Sequence, residues 1–255
     1  MSDYCRIGDT SLPDTLVWGD SHALALLPAF DATLSNLHRS AFFAAESGCP
    51  PLIETTVFFH GQRNWRCAQQ NAVLAQDLRH DSIHVVVLVG AWTYYYNSDN
   101  GYSLYRDGLA LRTRTFPDAL QSTVVWLQQH GKQVVIVSQV PAMKASSPFE
   151  LARAIAFAAP LPPAPTREGL AAAQLDAGAI TQALGAHNDV AVLDPVPWFC
   201  ATSACAVSDV AGHPLYRDTT HLSVAGAHYI TPSLQSALAN VLPPNPSAAR
   251  TGIGH

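Results

Sequence analysis

Ile83-His-Val-Val-Val-Leu-Val89 is apolar at six of its seven positions. A run this short and this rich in β-branched residues reads as a strand covered on both faces, which places it at the centre of a parallel sheet flanked by helices. Around it, short β-branched runs alternate with longer Ala/Leu/Gln-rich stretches, the pattern of strands joined by crossover helices. The expected class is therefore α/β.

The same pattern assigns the other elements. Thr15-Leu-Val-Trp18 is a first strand stopped at Gly19, and 23–45 reads as a helix despite Pro28 near its start. A second strand is expected within 52–59 and a helix around 68–79. The stretch 116–130 carries Leu120, Val124 and Leu127 at helical spacing with Gly131 as its stop, and Val134-Val-Ile-Val137 is a fourth strand. A helix over 168–184, a fifth strand over 190–193 and a last helix from Ser223 to Leu242 complete the reading, while the Pro/Ala-rich 145–165 receives no assignment. No linker-like shift in composition divides the chain. One domain over 1–242 is expected, followed by a Pro-rich tail over 243–255.

Composition excludes several partners. With 48% hydrophobic residues this is not a disordered chain, and 14 Lys+Arg against 19 Asp+Glu, a formal net charge of -5, leaves no basic cluster for a phosphate backbone. Nucleic acid is not an expected partner. No stretch approaches the roughly 18 apolar residues of a membrane span, since the greasiest candidate, 152–165, is interrupted by Pro160, Pro162, Pro163 and Pro165. A soluble domain is expected. Met1 to Asp9 is polar and lacks an apolar signal core, so an export signal would have to lie in a preceding segment.

The five cysteines, Cys5, Cys49, Cys67, Cys200 and Cys205, have neither zinc nor redox spacing. They read equally as buried thiols of a reducing compartment or as two close pairs with Cys5 left over. The histidines form no metal-ligand pattern, and no metal or bound cofactor is expected.

Two constellations carry chemistry. Ser21 stands in Leu16-Val-Trp-Gly-Asp-Ser-His22, at the end of the first strand and the start of a helix. α/β sheets place ligands at that edge, and a helix N-terminus offers N–H groups to a developing oxyanion. Asp20 or Ser21 also reads as a plain helix cap. Near the other end stands Tyr216-Arg-Asp-Thr-Thr-His221. The three-residue spacing of Asp218 and His221 lets the carboxylate bond Nδ1 and leaves Nε2 free to face a serine hydroxyl; Asp218 or Thr220 also reads as a cap of the last helix, with His221 a surface imidazole.

Gly-Asp-Ser near the N-terminus and Asp-x-x-His near the C-terminus together resemble the SGNH hydrolase superfamily, whose fold is a three-layer α/β/α sandwich with a mainly parallel, flavodoxin-like sheet. More narrowly, 16–23 (LVWGDSHA), Cys49-Pro-Pro-Leu52, the Cys200/Cys205 pair and Pro214-Leu-Tyr-Arg-Asp-Thr-Thr-His-Leu-Ser223 resemble the SGNH domain fused behind membrane-bound acyltransferase family 3 proteins. That resemblance implies an extracytoplasmic, membrane-tethered domain that O-acylates, most often O-acetylates, a bacterial surface glycan. It implies Ser21 as nucleophile, His221 as base and Asp218 as its orienter, and it favours disulfides Cys49–Cys67 and Cys200–Cys205. The acyl donor, such as one derived from acetyl-CoA, would arrive through an N-terminal membrane-bound acyltransferase domain.

The usual Gly-x-Asn after the third strand falls at Gly90-Ala91-Trp92, so Trp92 replaces the oxyanion-hole asparagine, as fused domains of this kind commonly show. Backbone N–H groups of Ser21, Gly61 and Trp92 are the oxyanion candidates, Gly61 standing for the glycine expected after the second strand. His22, Tyr94 and Tyr95 are candidates for contact with a sugar, Tyr102 and Tyr105 lying close by in sequence. An esterase with the same triad and a non-catalytic glycan-binding module remain the alternatives.

Overall fold

The computed structural model describes residues 4–79, 82–96, 101–106, 116–143, 148–160, 163–172, 178, 181–182, 184–186 and 189–244. In chain order its elements are β1 (Cys5–Gly8), β2 (Thr15–Gly19), α1 (Ser21–Asn36), β3 (Ser40–Ala45), β4 (Thr55–Phe59), β5 (Gln62–Arg63) and α2 (Trp65–Asp77). There follow β6 (Val85–Val89), α3 (Trp92–Tyr96), β7 (Tyr102–Arg106), α4 (Phe116–Gln129), β8 (Gln133–Val137), α5 (Pro148–Ala156), α6 (Arg167–Ala172), β9 (Ala191–Leu193), α7 (Val196–Phe199) and α8 (Val224–Val241).

The main sheet has the order β1-β3-β2-β6-β8-β9, antiparallel only at the β1 edge. Its five parallel strands, numbered along the chain, lie in the order 2-1-3-4-5, with the direction of winding reversing between β2 and β6. Alternate residues of each strand face opposite layers. Val17, Val87, Val135 and Val137 pack with Leu26, Phe30 and Leu34 of α1 and Ile230, Leu234 and Leu238 of α8. Leu16, Trp18, Val86, Leu88 and Ile136 pack with Leu74 of α2 and Leu120, Val124 and Leu127 of α4. Sheet and two helical layers form the expected α/β/α sandwich.

Two element assignments change. The helix expected over 23–45 ends at Asn36, the chain reverses through His38 at φ 53°, and 40–45 is the strand β3. Ser40-Ala-Phe-Phe-Ala-Ala is a short apolar run whose periodicity fits a buried helix as well as a buried strand, and pairing to β1 and β2 decides it. The strand expected within 52–59 exists as β4, but it joins β5 and β7 in a separate antiparallel sheet. The helix expected over 168–184 opens as α6, and 173–177, 179–180 and 183 lie outside the described residues, as do residues 245–255 of the Pro-rich tail.

Both disulfides are formed. Cys49–Cys67 ties the turn after β3 to α2, Cys200–Cys205 closes the loop after α7, and Cys5 is free and exposed. No helix among the described residues is long and apolar enough to cross a membrane.

Candidate active site

Ser21 and the Asp218/His221 loop meet at the carboxyl edge of β2, beside the reversal point of the sheet. Two glycines permit the approach. A Cβ on Gly19 would strike the carbonyl oxygen of Val89 and the Cβ of Ala23, so only glycine lets β2 turn into α1 this close to β6. A Cβ on Gly226 would strike the Leu215 carbonyl, so only glycine lets α8 seat against the loop that carries Asp218 and His221.

That loop is held along its length. Tyr216 pairs with Leu222 across it, Arg217 N–H donates to the His221 carbonyl at 2.9 Å, and the Thr219 carbonyl accepts from Met143 N–H at 2.8 Å. Ser223 caps α8, accepting from Gly226 N–H at 3.0 Å while its hydroxyl donates to the Pro214 carbonyl at 2.6 Å. The buried Tyr216 hydroxyl donates to the Pro141 carbonyl at 2.6 Å.

Ser21 Oγ lies 2.8 Å from His221 Nε2, and His221 Nδ1 lies 2.9 Å from Asp218 Oδ2 and 3.1 Å from Oδ1. Asp218 Oδ1 also accepts the main-chain N–H groups of Thr220 at 2.9 Å and His221 at 2.8 Å. Partial burial opposes the charge on Asp218, but those N–H donors and the His221 ring outweigh it and hold the carboxyl at about 2. Asp218 is therefore an anion near neutral pH, which fixes the Nδ1–H tautomer and leaves the Nε2 lone pair facing the hydroxyl.

Asp20 does more than cap α1. Fully buried, it accepts His22 N–H at 2.8 Å through Oδ1, and Ala91 N–H at 2.8 Å and the Tyr95 hydroxyl at 2.7 Å through Oδ2. It thereby fastens the segment after β6 to the turn that carries Ser21. Sequence gives the cap but not these two distant bonds.

The other candidates take varied places. Tyr95 is buried and committed to Asp20; burial first, and then the Asp20 charge, push its phenol well above the ordinary value. It braces the turn that carries Ser21, and its burial departs from the exposed face expected of a sugar contact. Tyr94 is half-buried against the α2/α4 layer. The Trp92 ring is buried, its indole N–H donates to the Val137 carbonyl at 2.8 Å, and it fills the space beside Gly90. Gly61 turns the exposed β4–β5 hairpin at φ 74°; the glycine that follows the second parallel strand is Gly48, at φ 67°. The misassigned strand is the reason for that exchange.

His22 also differs from expectation. The residue is 3% exposed, its ring centroid lies 4.8 Å from that of His221, and its Nδ1 is enclosed with no hydrogen-bond partner among the described residues. A stranded buried nitrogen costs about 1–3 kcal/mol. Burial pushes the imidazole down to about 4 against the opposing pull of Asp20 and Asp218. Among the described residues no group of His, Cys, Asp and Glu could hold a metal ion.

The site unites a hydroxyl, an imidazole and a carboxylate at a helix N-terminus, an arrangement suited to covalent acyl transfer. Known structures share the fold. The periplasmic domain of the lipopolysaccharide acetyltransferase of Salmonella Paratyphi A superposes with a TM-score of 0.63 at 16% identity, over 90% of this chain and 83% of that one. A putative acylhydrolase from Bacteroides fragilis does so with a TM-score of 0.50 at 13% identity, over 95% and 93% of the two chains. A catalytic mutant of the acetylxylan esterase Axe2 from Geobacillus stearothermophilus gives 0.50 at 12% identity, over 91% and 95%. Curated proteins offer no match. The family model "SGNH domain (fused to AT3 domains)" matches residues 1–236, nearly the whole chain. The chain belongs to that SGNH family.

Proposed function

We propose that this chain is the extracytoplasmic SGNH domain of an O-acyltransferase, most simply an O-acetyltransferase, that modifies a bacterial cell-surface polysaccharide. The observation that carries the reading is the continuous contact from Ser21 Oγ through His221 to Asp218. An eroded, purely binding module would have no need to keep these three groups in register.

In the first half-reaction His221 Nε2 takes the Ser21 proton as Oγ attacks the acyl carbonyl carbon. The negative charge moves to the carbonyl oxygen, toward the N–H groups at the start of α1, with Ser21 N–H the first donor. Collapse breaks the bond to the leaving group, which receives the proton from His221, and leaves an acyl-serine. In the second half-reaction a sugar hydroxyl gives its proton to His221 and attacks the acyl carbon. Ser21 recovers its proton as the acylated sugar departs. The family's fusion to AT3 domains supports a membrane-bound acyltransferase domain as the source of the acyl group.

The test is Ser21→Ala in the full-length protein expressed in its own cells, with surface-polysaccharide acylation measured by NMR. Loss of acylation is expected, and unchanged acylation contradicts the reading. Water in place of the sugar makes the same triad an esterase. Incubation of the domain with an aryl acetate and de-acylated polysaccharide separates the two: acylated sugar marks transfer, whereas free acid alone at an unchanged rate marks hydrolysis.

A further inference from the structure

His22 lies beside Ser21 and His221, yet the proton relay gives it no task. Its main-chain N–H donates to Asp20 Oδ1, a bond any residue could supply, so capping of α1 does not call for an imidazole. An alkyl or phenyl side chain would fill this interior without stranding Nδ1. The titratable groups that act on it are Asp20 at the cap, itself bonded to Tyr95 of α3, and His221 and Asp218 of the catalytic loop, with Arg217 Nε 3.6 Å from Asp218 Oδ2. Its ring is tilted 49° to that of His221 at a centroid separation of 4.8 Å.

We propose that His22 is a positioning residue acting through His221: an uncharged polar ring that keeps the catalytic imidazole on Ser21 and lies against the imidazolium formed when the hydroxyl proton transfers. The proposal rests on the triad reading above. Two imidazoles this close offer two places for one proton. His221 has Asp218 at Nδ1 to stabilise the charge, whereas His22 Nδ1 has no partner among the described residues. The proton therefore goes to the ring that faces the nucleophile. A buried polar ring beside the cation stabilises it better than hydrocarbon of the same volume, so the stranded nitrogen lowers stability in the service of turnover.

The experiment compares His22→Phe and His22→Asn with wild type in the 255-residue chain. It reads p-nitrophenyl acetate turnover, thermal melting, and NMR titration of the His221 ring without substrate. His22→Phe is expected to melt at or above the wild-type temperature while kcat falls about tenfold or more at unchanged KM. The His221 titration midpoint should move lower by about 0.5 pH or more, because the imidazolium loses its polar neighbour. His22→Asn, which keeps a polar nitrogen, should retain more of kcat than His22→Phe. The proposal is overturned if His22→Phe matches wild type in kcat and midpoint, or if kcat falls only with the folded fraction. If wild type turns over no ester, the triad reading fails, and the His221 midpoint, measured without substrate, still decides the role of His22.

Discussion

Ser21 Oγ and His221 Nε2 stand 2.8 Å apart although 200 residues separate them along the chain. What closes that distance is the pairing of α1 with α8 on one face of the sheet, where Leu26, Phe30 and Leu34 meet Ile230, Leu234 and Leu238. Asn36 Nδ2 donates to Gln235 Oε1 at 2.9 Å at the far end of the same pair. The contact between Ser21 and His221 is thus a consequence of core packing, and under the proposed mechanism changes that loosen either helix should act on the chemistry.

Asp218→Asn tests the orienting carboxylate. The amide keeps the shape but loses the charge, and it can present its NH₂ to Nδ1, reversing the tautomer so that Nε2 carries the proton. Turnover should fall by about 10³–10⁴-fold with a small change in melting temperature. Stopped assays of aryl-ester hydrolysis or acyl transfer would measure it, and a loss under tenfold would argue against the relay.

Gly226→Ala tests the seating of α8 on the catalytic loop. The added methyl meets the Leu215 carbonyl, so the loop must shift. A loss of about 1–3 kcal/mol in denaturant unfolding is expected, with a drop in kcat larger than that loss accounts for in folded protein, because Asp218 and His221 move with the loop. Wild-type stability and turnover together would show that the helix has slack.

The pH dependence of stability follows from His22. Its folded pKa, about 4, lies below its ordinary value of 6.5, so the unfolded chain binds the extra proton first. The sign is that stability falls as pH drops from about 6.5 to about 4, by about 3 kcal/mol at most, and flattens below. Asp218 acts lower: held at about 2, it adds stability that is lost only as pH falls from its ordinary value of 3.8 through that range. Melting curves from pH 7 to 4 should therefore be flatter for His22→Phe than for wild type. Parallel curves would contradict a neutral buried His22.

The two disulfides should differ in weight. Loop closure over 18 residues for Cys49–Cys67 and 5 for Cys200–Cys205 gives about 3 and about 2 kcal/mol. Ser replacements of each pair, compared by urea unfolding, should rank in that order, and the reverse order would mean that native contacts outweigh chain entropy.

Much of this was legible in the residues, and for identifiable reasons. Val85–Val89 reads as a central strand because both of its faces are covered, and a strand covered on both sides has no polar alternation to confuse it. Gly-Asp-Ser and Asp-x-x-His are short local patterns, so their spacing survives any error in the elements between them. Ser40–Ala45 was not legible, because Ala and Phe in a six-residue run suit either periodicity and only pairing with β1 and β2 selects the strand. That one ambiguity moved the expected glycine from Gly48 to Gly61. The roles of Tyr95 and Trp92 depend on contacts with Asp20 and Val137 across 75 and 45 residues, which no local pattern encodes.

The central claim is that Ser21 becomes acylated through His221. Intact-mass and peptide-mapping spectrometry of the domain quenched with acid after mixing with p-nitrophenyl acetate measures this directly. The account predicts one acetyl group on the peptide containing Ser21, absent in Ser21→Ala and strongly reduced in His221→Ala. No adduct in folded wild-type protein, or an adduct of equal yield in His221→Ala, would contradict it.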